Sequence, residues 1–282
     1  MILFIQSLVA SGTHIVAKVI VVDIEPVTLT MMRSLLAAIV LVAVVIVRRQ
    51  RRTFAKSDYK PLLLLSFLAI PVNQFLFLSA IKLTTPANAS LLYAATPAAV
   101  FLLSWLTGKE TITGKKGSGI AIAFVGILIV VFERGLDFRS EYTIGNALLC
   151  IAVIAWALYT IHGQPLIQKY GAFEASAVTM ILGTFMFVPI GIVGVVEYDY
   201  STLTISHWGG LLYLSLGTSI LAYFLWYYAL GKIEASKVAI FTNLQPILTT
   251  VLAVFLLGQT ITPAFLIGGS LALLGVVLTQ FG

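Results

Sequence analysis

Along this chain, apolar residues come in long unbroken runs, each bounded by charged or turn-forming residues. Runs of roughly 17–25 apolar residues are long enough to cross the hydrocarbon core of a bilayer as helices. Ten such helices are predicted, over 2–22, 26–47, 61–81, 87–107, 117–132, 143–163, 173–196, 208–230, 237–257 and 263–281. The fifth is short for a full span, and the TTPANAS stretch leaves very little loop between the third and fourth. A membrane barrel would instead alternate apolar and polar positions over segments of about ten residues. The predicted fold class is therefore all-α: a polytopic membrane protein with ten transmembrane helices.

Composition agrees. Of 282 residues, 60% are hydrophobic and only 10% charged, and the mean hydropathy is +1.04. A water-soluble domain carries about a quarter of charged residues, so the lipid bilayer is the first partner expected. No loop is long enough for a second, soluble domain. The net charge of +6 does not call for nucleic acid, because membrane proteins gather Lys and Arg in cytoplasmic loops. The lone Cys150 lies in an apolar run, which rules out an intramolecular disulfide and argues against a thiol metal site. No metal or cofactor is expected. The opening MILFIQSLVASGTHIVAKVIVV lacks a basic leader, so no cleaved signal peptide is expected.

Charge also sets the orientation. With the N-terminus inside, the cytoplasmic loops hold Arg48, Arg49, Arg51, Arg52, Lys56, Lys60, Lys109, Lys115, Lys116, Lys169, Lys232 and Lys237. The outer loops keep Lys82, Arg134 and Arg139, and hold the acids Asp23, Glu25, Glu133, Asp137, Glu141, Glu197 and Asp199. Both termini are expected to be cytoplasmic, in a cell (inner) membrane.

A repeat divides the chain. Thr111-Ile112-Thr113 returns 149 residues later as Thr260-Ile261-Thr262, and the same offset pairs Ala80 with Ala229, Pro97 with Pro246, Gly119 with Gly268 and Gly126 with Gly275. Two five-helix units follow, 1–140 and 141–282. Because five is odd, the second must enter the membrane inverted. Equivalent loops then obey opposite charge rules. The loop after the fourth span is basic and its partner after the ninth is uncharged. Inverted repeats around a midplane site mark secondary transporters, since two mirror-related packings can open the site to either side.

Polar side chains at mid-depth are costly and normally face the bundle interior. The candidates for substrate binding are His14, Asn73, Gln74, Tyr93, Thr96, Trp156, Tyr159, Tyr223, Trp226, Tyr227, Asn243 and Gln245, with Thr13 and Thr242 at similar depth. The repeat register sets Gln74 opposite Tyr223 and Thr96 opposite Gln245. Helices one, three, four, six, eight and nine would line a central path, with the glycine-rich fifth and tenth as supports. Pro97 and Pro246 each free a backbone carbonyl one turn earlier, at Tyr93 and Thr242, and are candidate hinges. Either a kink that only shapes packing or a carbonyl site fits them. His14 can carry a proton or sit neutral against a neighbouring helix. Lys18 and Arg33 are best read as snorkelling and pairing with Asp23 or Glu25; the alternative is neutralising a substrate carboxylate. The aromatic residues suit a wall for ring-bearing substrates, with Tyr213 and Tyr228 assigned to lipid. The four glycines 119, 126, 268 and 275 suit close helix contact.

Absences narrow the function further. All eleven acids fall in loops or at helix ends, so the central carboxylate of a lipophilic-cation antiporter is missing. GKETITGKK fails as a phosphate loop, because Gly108 and Gly114 are one residue too far apart and Lys116 stands where magnesium needs Ser or Thr. The dispersed His14, His162 and His207 supply no enzyme centre.

Gly108-Lys109-Glu110, the following Thr-Ile-Thr, and Gly119 with Gly126 in an apolar helix together resemble the EamA repeat of the drug/metabolite transporter superfamily. Pro97, Pro246, Ser11-Gly12-Thr13-His14 with Lys18, and Glu25-Pro26 with Arg33 fit the same pattern. One departure is Gln259, where the family usually places an acid. The resemblance implies a secondary transporter without ATP or cofactor, not an enzyme, exporting amino acids or similar small amphipathic metabolites by alternating access. The alternatives are a facilitator or proton-coupled carrier for nucleosides, vitamins or aromatic cationic drugs, or, in a different class, a channel or membrane sensor. Monomer and homodimer both remain open.

Overall fold

The computed structural model describes residues 1–48, 53–106, 113–133 and 140–281, and no strand occurs among them. The helices are α1 Ile2–Ile20, α2 Pro26–Arg48, α3 Lys56–Leu83, α4 Pro86–Leu106, α5 Gly114–Val131, α6 Glu141–Tyr170, α7 Ala172–Val196, α8 Ile205–Leu230, α9 Lys237–Leu257 and α10 Pro263–Phe281. Among the described residues, nine are long and apolar enough to cross a membrane. The tenth apolar helix, α10, is described in full over the slightly shorter Pro263–Thr279. The chain is a multi-pass, all-α membrane protein.

Two helices overrun their predicted spans. α3 has 28 residues and α6 has 30. Both extensions are polar: Lys56–Asp58 at the start of α3, and the HGQPLIQKY end of α6. Hydropathy reports the bilayer boundary, whereas a helix can continue past it wherever side chains satisfy its last polar groups.

The repeated Thr-Ile-Thr now has a physical reason. Its last threonine is a helix N-cap in both copies. Thr113 Oγ1 accepts from the Lys116 amide (3.2 Å) at the start of α5, and Thr262 Oγ1 accepts from the Phe265 amide (3.0 Å) at the start of α10. Such caps satisfy amide donors that the helix cannot satisfy internally. Lys109, Glu110, Thr111 and Ile112 lie outside the described residues, as do Arg49, Arg51, Arg52, Arg134, Asp137 and Arg139.

The capped pair α5 and α10 pack along their glycines. A β-carbon on Gly126 would stand 2.5 Å from the Gly268 carbonyl oxygen, and one on Gly275 would stand 2.5 Å from the Gly119 carbonyl oxygen. Without side chains at these positions the two backbones approach closely, which gives van der Waals contact where lipid offers no hydrophobic drive. The repeat-related pair α2 and α7 also packs together. Gly191 lies against Met31, and Gly194 against Thr28. The outer surface is apolar, with Ile39, Phe67, Phe124, Phe185 and Phe255 exposed. Gln6, His14, Arg33, Asn73, Gln74 and Gln245 are buried inside. This inside-out distribution is what a bilayer requires.

Candidate functional site

Four local departures from α-helix bring the interior polar residues together. In α3, Leu68–Gln74 forms a π-helix that contains Pro71. In α8, Tyr213–Ala222 does the same without a proline. With the 149-residue offset, Gln74 corresponds to Tyr223, so the two π segments overlap in the repeat. α4 is interrupted at Ala95, just before Pro97. α9 runs as a 3-10 helix over Ile240–Asn243, just before Pro246. The wide π turns rotate side chains out of regular register and are frequent at functional sites, and a tight 3-10 stretch inside a helix often marks a hinge.

Between these segments lies a cavity lined by Gln6, Ala10, Thr13 and His14 from α1, Arg33 from α2, Asn73, Gln74 and Phe77 from α3, and Tyr93 from α4. The second half adds Trp156 from α6, Thr218, Ala222 and Tyr223 from α8, and Gln245 from α9. The cavity's free volume is about 70 Å³, well short of the several hundred Å³ of a typical small-molecule site, so cargo must push side chains aside.

Most polar atoms here are held across the two halves. Tyr223 OH donates to Asn73 Oδ1 (3.0 Å), while Asn73 Nδ2 donates to Tyr93 OH (2.8 Å) and to the Ala152 carbonyl (2.8 Å). Ser219 Oγ donates to Gln74 Oε1 (3.5 Å). Thr13 and Thr218 share a 2.7 Å hydroxyl contact. His14 Nε2 meets Gln245 Oε1 at 3.4 Å, and its Nδ1 is buried with no protein partner. The imidazole also lies edge-on to Phe77 and Tyr93. Gln74 reaches the Tyr223 hydroxyl, as the repeat register predicts, whereas the second predicted pair is not formed. Tyr223 also bonds Asn73, one residue before Gln74, and Gln245 faces His14 where Thr96 was expected.

Of the other candidates, Tyr159, Trp226 and Tyr227 do not line the cavity but form the layer behind it. Trp156 stacks on Tyr159 (19° between planes), Tyr159 stacks on Tyr227 (14°), and Trp226 Nε1 donates to Thr160 Oγ1 (3.1 Å). Asn243 lies in the 3-10 turn below Gln245 and is not part of the lining. Thr96 is also absent from it, because its hydroxyl donates to the Tyr93 carbonyl (2.6 Å). That bond consumes the carbonyl that Pro97 was expected to offer a substrate. Near Pro246, the Ser7 hydroxyl donates to the Phe241 carbonyl (3.0 Å). The Tyr93 carbonyl freed by Pro97 thus finds a protein partner, as a freed carbonyl must in a low-dielectric interior.

Arg33, expected to snorkel, does not. Arg33 is only 1% exposed and reaches the cavity, where Nη2 donates to Ser219 Oγ (3.0 Å). Lys18 Nζ donates to the carbonyls of Ile81 (3.0 Å), Lys82 (3.1 Å) and Thr84 (2.8 Å), capping the end of α3. The acids assigned to them are engaged elsewhere, Glu25 with Lys82 (2.6 Å) and Asp23 with His207 (2.9 Å). Tyr213 is likewise not a lipid residue; its hydroxyl donates to the Val9 carbonyl (2.8 Å) over Gly12. Among the lining residues, Gln6 and Thr218 have no strong sequence signal. Gln6 lies near a predicted span end, and Thr218 is one of several small hydroxyls.

Outside the cavity, Glu133 at the end of α5 links the halves. Its carboxylate accepts from Tyr142 and from Thr262 Oγ1 (2.7 Å). Gln259, which replaces the acid expected in the second repeat, makes no side-chain bond through its buried Oε1. The anchoring acid of the second copy's loop comes from the first half.

A polar and aromatic cavity enclosed by membrane-spanning helices defines a membrane transporter. The chain matches the EamA-like transporter family over residues 1–132 and again over 143–281, and it belongs to that family. It is 30% identical to an uncharacterized transporter of Archaeoglobus fulgidus, over 99% of this chain and 96% of that one. A protein of Salmonella typhimurium named a probable amino-acid metabolite efflux pump is 31% identical over 76% of this chain and 75% of its own length. A probable terminal-alkyne amino-acid exporter of Streptantibioticus cattleyicolor is 26% identical over 68% of this chain and 63% of its own. One solved crystal structure aligns with a TM-score of 0.68 at 19% identity, covering 98% of this chain and 94% of that chain, which shows a shared fold.

Proposed function

We propose that this transporter exports amino acids or similar small amphipathic metabolites as a secondary carrier in the cell (inner) membrane. Two inverted units, 1–140 and 141–282, rock against each other about Pro97 and Pro246, with both termini cytoplasmic. The observation that supports this most is the composition of the cavity. Hydrogen-bonding side chains such as Asn73, Gln74 and Gln245 stand beside Phe77, Tyr93, Trp156 and Tyr223. A solute with a polar end and an apolar body matches both surfaces. The names of the two amino-acid-exporting relatives agree with that match.

Counterflow in proteoliposomes tests the reading. Preloaded unlabelled amino acid should drive uptake of its labelled form, and no counterflow across a panel of neutral and aromatic amino acids would overturn it. A second reading, proton coupling through His14, is favoured by the unpartnered Nδ1 beside the cavity. Transport that is unchanged when an imposed pH gradient is collapsed removes that coupling and leaves facilitated diffusion.

A further inference from the structure

Arg33 is the one ionised side chain of the cavity lining. Among the described residues, no carboxylate forms an ion pair with it. Among the described residues its single protein acceptor is the neutral hydroxyl of Ser219, and Nε is buried with none. A guanidinium carries five N–H donors in a planar fork. Burying that charge with one neutral partner is expensive in a bilayer interior, and such charges mark substrate pathways. The counter-charge must come from the cargo, and the fork matches a carboxylate bidentately.

The rest of the lining restricts the cargo further. No acid is present to receive an ammonium group. The acceptors on offer are all neutral: amide oxygens, including Gln6 Oε1, which is buried without a partner, hydroxyls, and His14 Nδ1. Four aromatic residues, Phe77, Tyr93, Trp156 and Tyr223, provide an apolar wall.

We propose that Arg33 is the carboxylate-binding residue of the cavity, and that the site selects monocarboxylates with an apolar or aromatic body on the strength of the carboxylate alone. This rests on the export reading and extends it. A substrate's ammonium is tolerated but not required, so an amino acid lacking its amino group binds at least as well as the zwitterion. A cationic amine is excluded.

Purified transporter in lipid nanodiscs, titrated with phenylacetate, phenylalanine and phenethylamine, tests this by tryptophan fluorescence and thermal shift. Phenylacetate should bind at least as tightly as phenylalanine, and phenethylamine should not bind. Arg33→Gln should weaken phenylacetate by about tenfold or more, the scale of one lost charge-assisted hydrogen bond. Arg33→Lys, which keeps the charge but loses the fork, should fall between. Phenethylamine binding as well as phenylacetate overturns the proposal, as does undiminished phenylacetate binding by Arg33→Gln. If Arg33→Gln does not fold, the three ligands on the natural protein still decide. Binding of none of them also overturns it, while amino-acid counterflow by the same preparation would leave the export reading standing.

Discussion

At the scale of single residues, the cavity is a set of hydrogen bonds whose members can be removed separately. Tyr223→Phe deletes only the hydroxyl that donates to Asn73, and Asn73 keeps its bonds to Tyr93 and Ala152. One intramolecular hydrogen bond contributes about 0.5–1.5 kcal/mol, so the thermal midpoint should barely move while the counterflow rate falls severalfold. An equal loss in both would make Tyr223 a packing residue. Gln245→Ala removes the side chain that His14 meets. Transport should be impaired with expression retained, and unaltered transport would remove this pair from the site. These polar residues were legible in the sequence because a bilayer makes each of them conspicuous. The position of Arg33 was not. Its distance along the second span is compatible with a head group reaching water, and only the packing of α8 against α2 brings Ser219 within reach and buries it.

At the scale of elements, the repeat explains itself through caps and glycines. Gly275→Val would force a β-carbon to 2.3 Å from the Ala123 amide nitrogen. Overpacking of this kind costs about 1–3 kcal/mol, and thermal unfolding should show it. Gly114→Ala, with nothing within 4 Å, is the matched control and should be silent. Thr262→Val removes both an N-cap and the bond to Glu133. Thr113→Val removes the N-cap of α5. Cap loss costs about 0.5–2 kcal/mol, so both variants should lower the thermal midpoint, and Thr262→Ser, which keeps the cap and the hydroxyl donor to Glu133, should restore it; no loss in Thr262→Val would discount the Glu133 link. The glycine spacing was readable because small residues stand out in an apolar helix. The π turns were not: Pro71 marks one, but the overlapping turn in α8 has no proline to announce it.

At the scale of the whole molecule, the two halves must separate if the cavity is to open. Thr13 on α1 and Thr218 on α8 belong to different halves and touch at 2.7 Å. In a Cys150→Ala background, Thr13→Cys with Thr218→Cys should oxidise to a cross-link that stops transport, and reduction should restore it. Full activity in the oxidised pair would mean that these helices do not move apart. Orientation is tested separately. Gln259→Cys should react with an impermeant thiol reagent added from outside the cell, and labelling only from the cytoplasm would contradict the inverted arrangement.

The sequence by itself determined the class, the helix number and the repeat. Bilayer burial writes itself into long apolar runs, and duplication leaves residues at one constant spacing. It also supplied much of the cavity, because polar groups at mid-depth have few places to go. Tertiary structure decided which of them meet. Tyr223 bonds Asn73 besides the predicted Gln74, Gln245 meets His14, and Thr96 and Ser7 bond carbonyls near the prolines. It also decided that Arg33 faces the cavity without an acid. Periodicity places a side chain on a helix face, but only the neighbouring helices determine whether that face meets water, lipid, a partner or an unfilled charge.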